Sequence, residues 1–101
     1  MRFLMSLKMP LEPFNSYVKD GSIGARMGKI LGELKPEAAY FTAMTGHRGG
    51  ILVVHMDNPS QIPAFAEPWF LQFNANVEFQ AAMSAEDLAK AGLEGLGKQW
   101  G

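Results

Sequence analysis

Residues Gly49–Phe73 read GGILVVHMDNPSQIPAFAEPWFLQF. Ile51–Met56 is a mostly apolar run rich in β-branched side chains, the signature of a strand buried on both faces. The turn-forming cluster Asp57-Asn58-Pro59-Ser60 stops it. Apolar residues then recur at helical spacing: Ile62, Phe65, Ala66, Trp69, Phe70 and Phe73. A buried strand followed directly by an amphipathic helix predicts a helix that covers a sheet.

Working outward, residues 2–9 alternate, with Phe3, Met5, Leu7 and Met9 on one side and Arg2, Leu4, Ser6 and Lys8 on the other. Pro10 and Pro13 end that strand. From Phe14 to Leu34 the pattern is helical, with Ile23, Met27, Ile30, Leu31 and Leu34 on one stripe and a break or bend expected at Asp20-Gly21-Ser22. Ser22 is a candidate cap. Lys35-Pro36 ends the helix, since a residue before proline is pushed out of the helical region. Ala38–Met44 is a second strand, joined through Thr45–Gly50 as a glycine-rich connection of hairpin type.

Beyond the third strand, Ser60 is the expected cap of the next helix. Pro68 should split it, one segment ending near Ala66–Glu67 and another starting at the proline. Val77–Met83 alternates as a fourth strand. Ser84-Ala85-Glu86-Asp87 forms a near capping box and opens a last helix with the stripe Ala89, Leu93, Leu96 and Trp100. Glycines 92, 95 and 97 weaken that helix, so it needs packing to persist.

The order strand–helix–strand–strand–helix–strand, with right-handed crossovers, makes an α+β, ferredoxin-like four-stranded antiparallel sheet of order 4-1-3-2. The chain is one domain of 101 residues, with 84–101 as a C-terminal helical extension. Both helices must lie on one face. With Phe3, Met5, Leu7, Phe79 and Ala81 toward the helices, the open face carries Leu4, Ser6, Tyr40, Thr42, Met44, Ile51, Val53, His55, Glu78 and Gln80. A slip of one residue reverses that assignment. The face is too apolar for water, and a second copy related by a two-fold axis would cover it, so a homodimer is expected.

Apolar residues make up 48% of the chain, which excludes a disordered protein. A net charge of −1 gives no attraction to nucleic acid or to an acidic membrane surface. No 18-residue apolar run exists to span a membrane. The absence of cysteine excludes disulfides and thiolate chemistry and suits a reducing cytoplasm.

His55 is the one ionisable side chain in the most apolar strand and a candidate general base, with a hydrogen-bonded core or interface histidine as the plain alternative. Tyr40 and Glu78 are its candidate partners in proton transfer, with Thr42 adding polarity. Trp69 and Phe73 are candidates to stack an aromatic ligand, against the plain alternative that they are core. His47 and Arg48, in the glycine-rich connection, are a candidate clamp for an anion or carboxylate, or else a solvated turn. The histidine spacing and the lack of cysteine argue against zinc, and no cofactor or metal is expected. The glycines of 21–32 do not follow a strand in a dinucleotide-binding frame.

The pattern resembles the dimeric α+β barrel superfamily, in which two ferredoxin-like sheets face each other. The stretch HMDNPSQIPAFAEPWFLQFNANVEFQAAM is similar to its muconolactone-isomerase-like branch and to small bacterial proteins of the same build. Asp57, Pro68-Trp69-Phe70 and Val77–Met83 carry the likeness, and SAEDLAKAG extends it. The resemblance covers nearly the whole chain. Members include isomerases, cofactor-free monooxygenases, chlorite-dismutase-like haem proteins and stress-response proteins, so the fold does not choose a function. The first expectation is a dimer that binds a small apolar or aromatic molecule, or is purely structural, with a pocket between sheet and helices. The alternative is a cofactor-independent isomerase or monooxygenase acting on a small aromatic compound.

Overall fold

Why the chain folds as it does is clearest from its central pair of strands. A computed structural model describes residues 1–101. Strand β1 (Arg2–Met9) pairs antiparallel with β3 (His47–His55) on one side and with β4 (Asn76–Ala82) on the other, and β2 (Ala38–Met44) pairs with β3. The order β2-β3-β1-β4 is the expected 4-1-3-2. Register fixes the faces: Met5 sits between Leu52 and Phe79, and Leu7 between Gly50 and Val77. Met5, Leu7, Met9, Leu52 and Val54 are buried under the helices, so the parity read from the sequence holds.

The helical layer is α1 (Phe14–Asp20), α2 (Ile23–Leu34) and α3 (Ile62–Phe73). Gly21, in the left-handed region at φ 80°, caps α1 and makes the expected break. Ser22 precedes α2 without capping it; its hydroxyl instead accepts from Arg26 Nε. Lys35 leaves the helix in the left-handed conformation just before Pro36. The stripe Ile23, Met27, Ile30, Leu31 and Leu34 packs on the core. Phe73 is its hub, with the rings of Phe14, Tyr17 and Trp69 at 5.4, 5.7 and 5.8 Å. Tyr17 donates to the Gln72 carbonyl, and Arg26, stacked on Tyr17, donates to the Gln72 side chain, tying the first two helices to α3.

Four local expectations are corrected. Pro68 lies inside an unbroken α3: its missing N–H leaves the carbonyl of Ala64, an exposed residue that water can serve, while Trp69 and Phe73 hold the helix down by burial. Asn58, not Ser60, caps the turn Pro59–Gln61 that leads into α3, in a capping box with Gln61. The β2–β3 hairpin turns on Thr45 and Gly46 alone, both with positive φ, the pairing that matches strand twist. The strand therefore starts at His47, eight residues before His55. Finally, β3 is buried on one face only within a single chain, since Ile51 and His55 are exposed.

After β4 come α4 (Ala85–Ala89) and α5 (Leu93–Trp100), broken at Gly92 in the left-handed region. The capping box is complete: Asp87 N–H donates to Ser84 Oγ, and Ser84 N–H to the Asp87 carboxylate. No residue from Ala85 to Gly101 is buried.

Candidate functional site

The open sheet face can be laid out in rows from the strand register. Glu78, Ser6, Ile51 and Tyr40 cross it in one row, and Gln80, Leu4, Val53 and Ala38 in the next. Ala82, Arg2 and His55 make the last row, at the end where β1 begins and β3 ends. Pleating sends all of these side chains to the same side.

The last row holds a charged network. Glu37 directly precedes β2, and its N–H donates to the Val53 carbonyl, which aims its side chain across the end of the sheet. His55 Nε2 lies 2.9 Å from Glu37 Oε1. Arg2 donates to the same oxygen through Nη2 at 2.9 Å and Nε at 3.3 Å. Arg2 Nη1 also lies 3.6 Å from the Asp87 carboxylate at the start of α4. A hydrogen bond from Arg2 and a second from His55 hold the Glu37 carboxyl below its ordinary value. The Asp87 carboxyl is lowered too, first by its hydrogen bonds within the Ser84 cap and further by Arg2.

With Glu37 ionised, His55 donates from Nε2 and turns the lone pair of Nδ1 outward. A carboxylate that orients an imidazole in this way is the arrangement of a general base: a proton taken at Nδ1 is balanced by the carboxylate behind Nε2. The His55 side chain is 52% exposed, at the end of the open face. A shallow hollow of about 440 Å³ lies beside Arg2 and Asp87, with Met1, Ala81, Ala82 and Met83 in its walls. No group of three or more histidines and carboxylates is placed to share a metal ion.

The other sequence candidates fall elsewhere. Tyr40 and Glu78 share the open face with His55 but not its end of the sheet. They stand on opposite edge strands, about 14 Å apart at the usual strand spacing, and His55 is about 13 Å along β3 from their row. One chain thus does not unite the three. Thr42 pairs with Gly49, still farther from His55. His47 and Arg48 point to opposite faces as neighbours in a strand must, so they form no joint clamp. His47 Nδ1 approaches the Thr45 carbonyl, while Arg48 lies on the helix side over the Phe14 ring at 4.3 Å. Trp69 and Phe73 are fully buried and offer no surface to a ligand. They, with Met5, Leu7, Leu52 and Val54, fill the centre of the space between sheet and helices, and a hollow of about 200 Å³ lies at its edge, with Phe3, Met56 and Ile62 in its walls.

Sequence reasoning missed Glu37, Arg2 and Asp87. The sequence reading gives Glu37 no role and places Arg2 only on the side of the first strand that carries Leu4, Ser6 and Lys8. One signal was in reach: antiparallel order 4-1-3-2 sets the start of strand one beside the end of strand three, and thus Arg2 beside His55.

These elements define a ferredoxin-like α+β protein with one uncovered sheet face. No protein-family model matches the chain, and no curated protein does. Among solved structures, the chain is similar to 5-chloro-2-hydroxyhydroquinone dehydrochlorinase from Burkholderia phenoliruptrix AC1100, determined in complex with 2,5-dihydroxybenzoquinone. The TM-score is 0.62 at 16% identity, over 85% of this chain and 97% of that one. At that identity the likeness establishes a shared fold. No helix of the chain is long and apolar enough to cross a membrane.

Proposed function

We propose that the chain works as a homodimer that binds a small hydroxylated aromatic or quinonoid compound against its open sheet face, beside His55. The observation that carries this reading is the His55–Glu37 pair at the end of an apolar, uncovered surface. Leu4, Ile51, Val53 and Tyr40 supply flat hydrophobic area for a ring. His55 and Arg2 supply donors for its oxygens. A second sheet would roof the face and remove water, which a single chain does not do. The structural neighbour, of the same fold, was solved with a dihydroxybenzoquinone bound. We assign the protein to the cytoplasm, a reading that its cysteine-free composition supports.

A second reading is favoured by the dyad itself. A cofactor-independent isomerase or monooxygenase of small aromatic compounds needs a base to remove an acidic C–H or O–H proton. His55 Nδ1 is the base of that proposal and Glu37 its positioning residue. In the dimer, Tyr40 or Glu78 of the second copy would be the nearer source of a donor.

Calorimetric titration with 2,5-dihydroxybenzoquinone and simple catechols tests both readings. Saturable binding is expected for the wild type, weakened by roughly 10-fold or more in His55→Gln, as for the loss of a hydrogen bond to a charged group. Loss of ring C–H signals in deuterated buffer, abolished by His55→Gln and slowed by Glu37→Gln, would favour the enzyme. Absence of binding to every probe, or equal binding by wild type and His55→Gln, would contradict the proposal.

A further inference from the structure

A groove of about 510 Å³ crosses the outer side of the helical layer, away from the open sheet face. Its α2 wall carries Arg26, Lys29 and Glu33, its α3 wall carries Pro68, Leu71 and Gln72, and the buried Ile30 also lines it. Arg26 is held there by three contacts. Its guanidinium lies 3.8 Å from the centre of the Tyr17 ring, Nε donates to Ser22 Oγ at 3.0 Å, and Nη1 donates to Gln72 Oε1 at 2.7 Å. All three partners are neutral, and Arg26 forms no ion pair. Asp20, the carboxylate nearest in sequence, accepts from the Ser22 N–H instead. Tying α2 to α3 needs only donors, whereas a half-buried cation without a counter-charge is costly. Nη2 of Arg26 and the side-chain N–H₂ of Gln72 donate to nothing on the chain. Lys29, at i+3 from Arg26, is also unpaired. Glu33 follows it at i+4, the less favourable order for a helical ion pair.

We infer that this groove binds a small organic monoacid, its carboxylate held by Arg26, Lys29 and Gln72 and its apolar body laid along Pro68 and Leu71. The inference stands apart from the reading of His55, which faces the other side of the sheet. Charge favours this occupant: the groove sets two cations against one carboxylate, and the donors with no partner lie at the Arg26 end. An arginine already locked by its neighbours loses little freedom when an anion arrives, and its planar fork suits a carboxylate. The Leu71 side chain is 74% exposed, an apolar wall with no partner of its own. The volume falls within the range of small-molecule sites. Glu33 sets the limit on the ligand. It stands two helical turns from Arg26, about 10 Å along α2, where it would repel a second carboxylate and so selects a monoacid over a diacid.

The test titrates the full chain with 4-tert-butylbenzoate and follows the Arg26 Nε–H and Leu71 methyl resonances. Both should move saturably. The neutral 4-tert-butylbenzyl alcohol, which lacks the charge, and acetate, which lacks the body, should each bind more weakly by roughly 10-fold or more. Terephthalate, a diacid, should also bind more weakly. Leu71→Glu changes an exposed side chain and leaves the fold intact, and its carboxylate should weaken binding of the monoacid by roughly 10-fold. Lys29→Gln, equally exposed, should weaken it by about 3-fold, as for a screened surface charge. Arg26 and Leu71 signals that stay fixed would overturn the inference, as would an alcohol or a diacid that binds as tightly as the monoacid. Equal binding of acetate would mark an adventitious anion contact only and overturn it too. So would a Leu71→Glu chain that binds like the wild type. Movement confined to the Arg2 and Leu4 signals would put the acid on the open sheet face and leave the groove without a ligand.

Discussion

His55 Nε2, at the end of β3, lies 2.9 Å from Oε1 of Glu37, the residue just before β2. Eighteen residues of chain, including a tight hairpin, separate the two, and it is the antiparallel return of β3 along β2 that joins them. Arg2 reaches the same oxygen from β1. One carboxylate oxygen thus ties the starts of two strands to the end of a third, on the one face of the sheet that the helices leave open.

The pH dependence of this junction follows from Glu37. Its carboxyl is held below its ordinary value of 4.5, first by Arg2 and then by His55. A group depressed in the folded state contributes stability that is complete above its unfolded value and is lost as pH falls through the folded one. The junction should therefore be intact at neutral pH and loosen only below about 4.5. Carbon-detected NMR of the Glu37 carboxyl should give a midpoint under that value, and Arg2→Ala should raise it. A midpoint unmoved by Arg2→Ala would remove the ion pair from the account.

Trp69 tests the core. Its ring is fully buried against Phe73, and its indole nitrogen has no hydrogen-bond partner, so it contributes as hydrocarbon. Trp69→Ala should cost on the order of 3–5 kcal/mol. For a domain of this size the thermal midpoint should fall by about 15 °C or more. An unchanged midpoint by calorimetry would mean that the ring is not core.

Self-association tests the open face. Light scattering at micromolar concentration should give about twice the 11.1 kDa chain mass. Ile51→Asp, which sets a carboxylate in the middle of the face, should return the chain to a folded monomer, with the far-ultraviolet circular dichroism of the wild type and a melting temperature lowered by the lost association. A wild type that scatters as a monomer would sink the dimer.

How far the sequence could be read depends on what each residue's partners were. Period-two and period-3.6 patterns carry the fold, because burial of Met5, Leu52 or Trp69 is a local choice of face repeated along an element. The 4-1-3-2 order follows once handedness is applied, whereas the register that pairs Met5 with Leu52 does not. Pro68 was misjudged because local backbone chemistry argues for a break, while the burial of Trp69 and Phe73, a tertiary term, keeps one helix. Thr45 was taken into a long connection because nothing but its neighbour Gly46 hints that it adopts positive φ. His55 was legible as the one titratable group in an apolar run. Its partner Glu37 was not, because that contact depends on where a strand begins, to the residue. Trp69 and Phe73 read as core first and as a ligand cage second, and the packing puts both in the core.

The central claim is that the open face around His55 receives a small aromatic molecule. The chain has two histidines, and both point to this face, about 26 Å apart at the opposite ends of β3 by ordinary strand rise. His47 is therefore a built-in control. Titration of the wild-type protein with 2,5-dihydroxybenzoquinone, followed through the imidazole C–H resonances, should move the His55 signals saturably and leave those of His47 in place. His55 signals that stay fixed throughout, or that move in step with those of His47, would contradict the account.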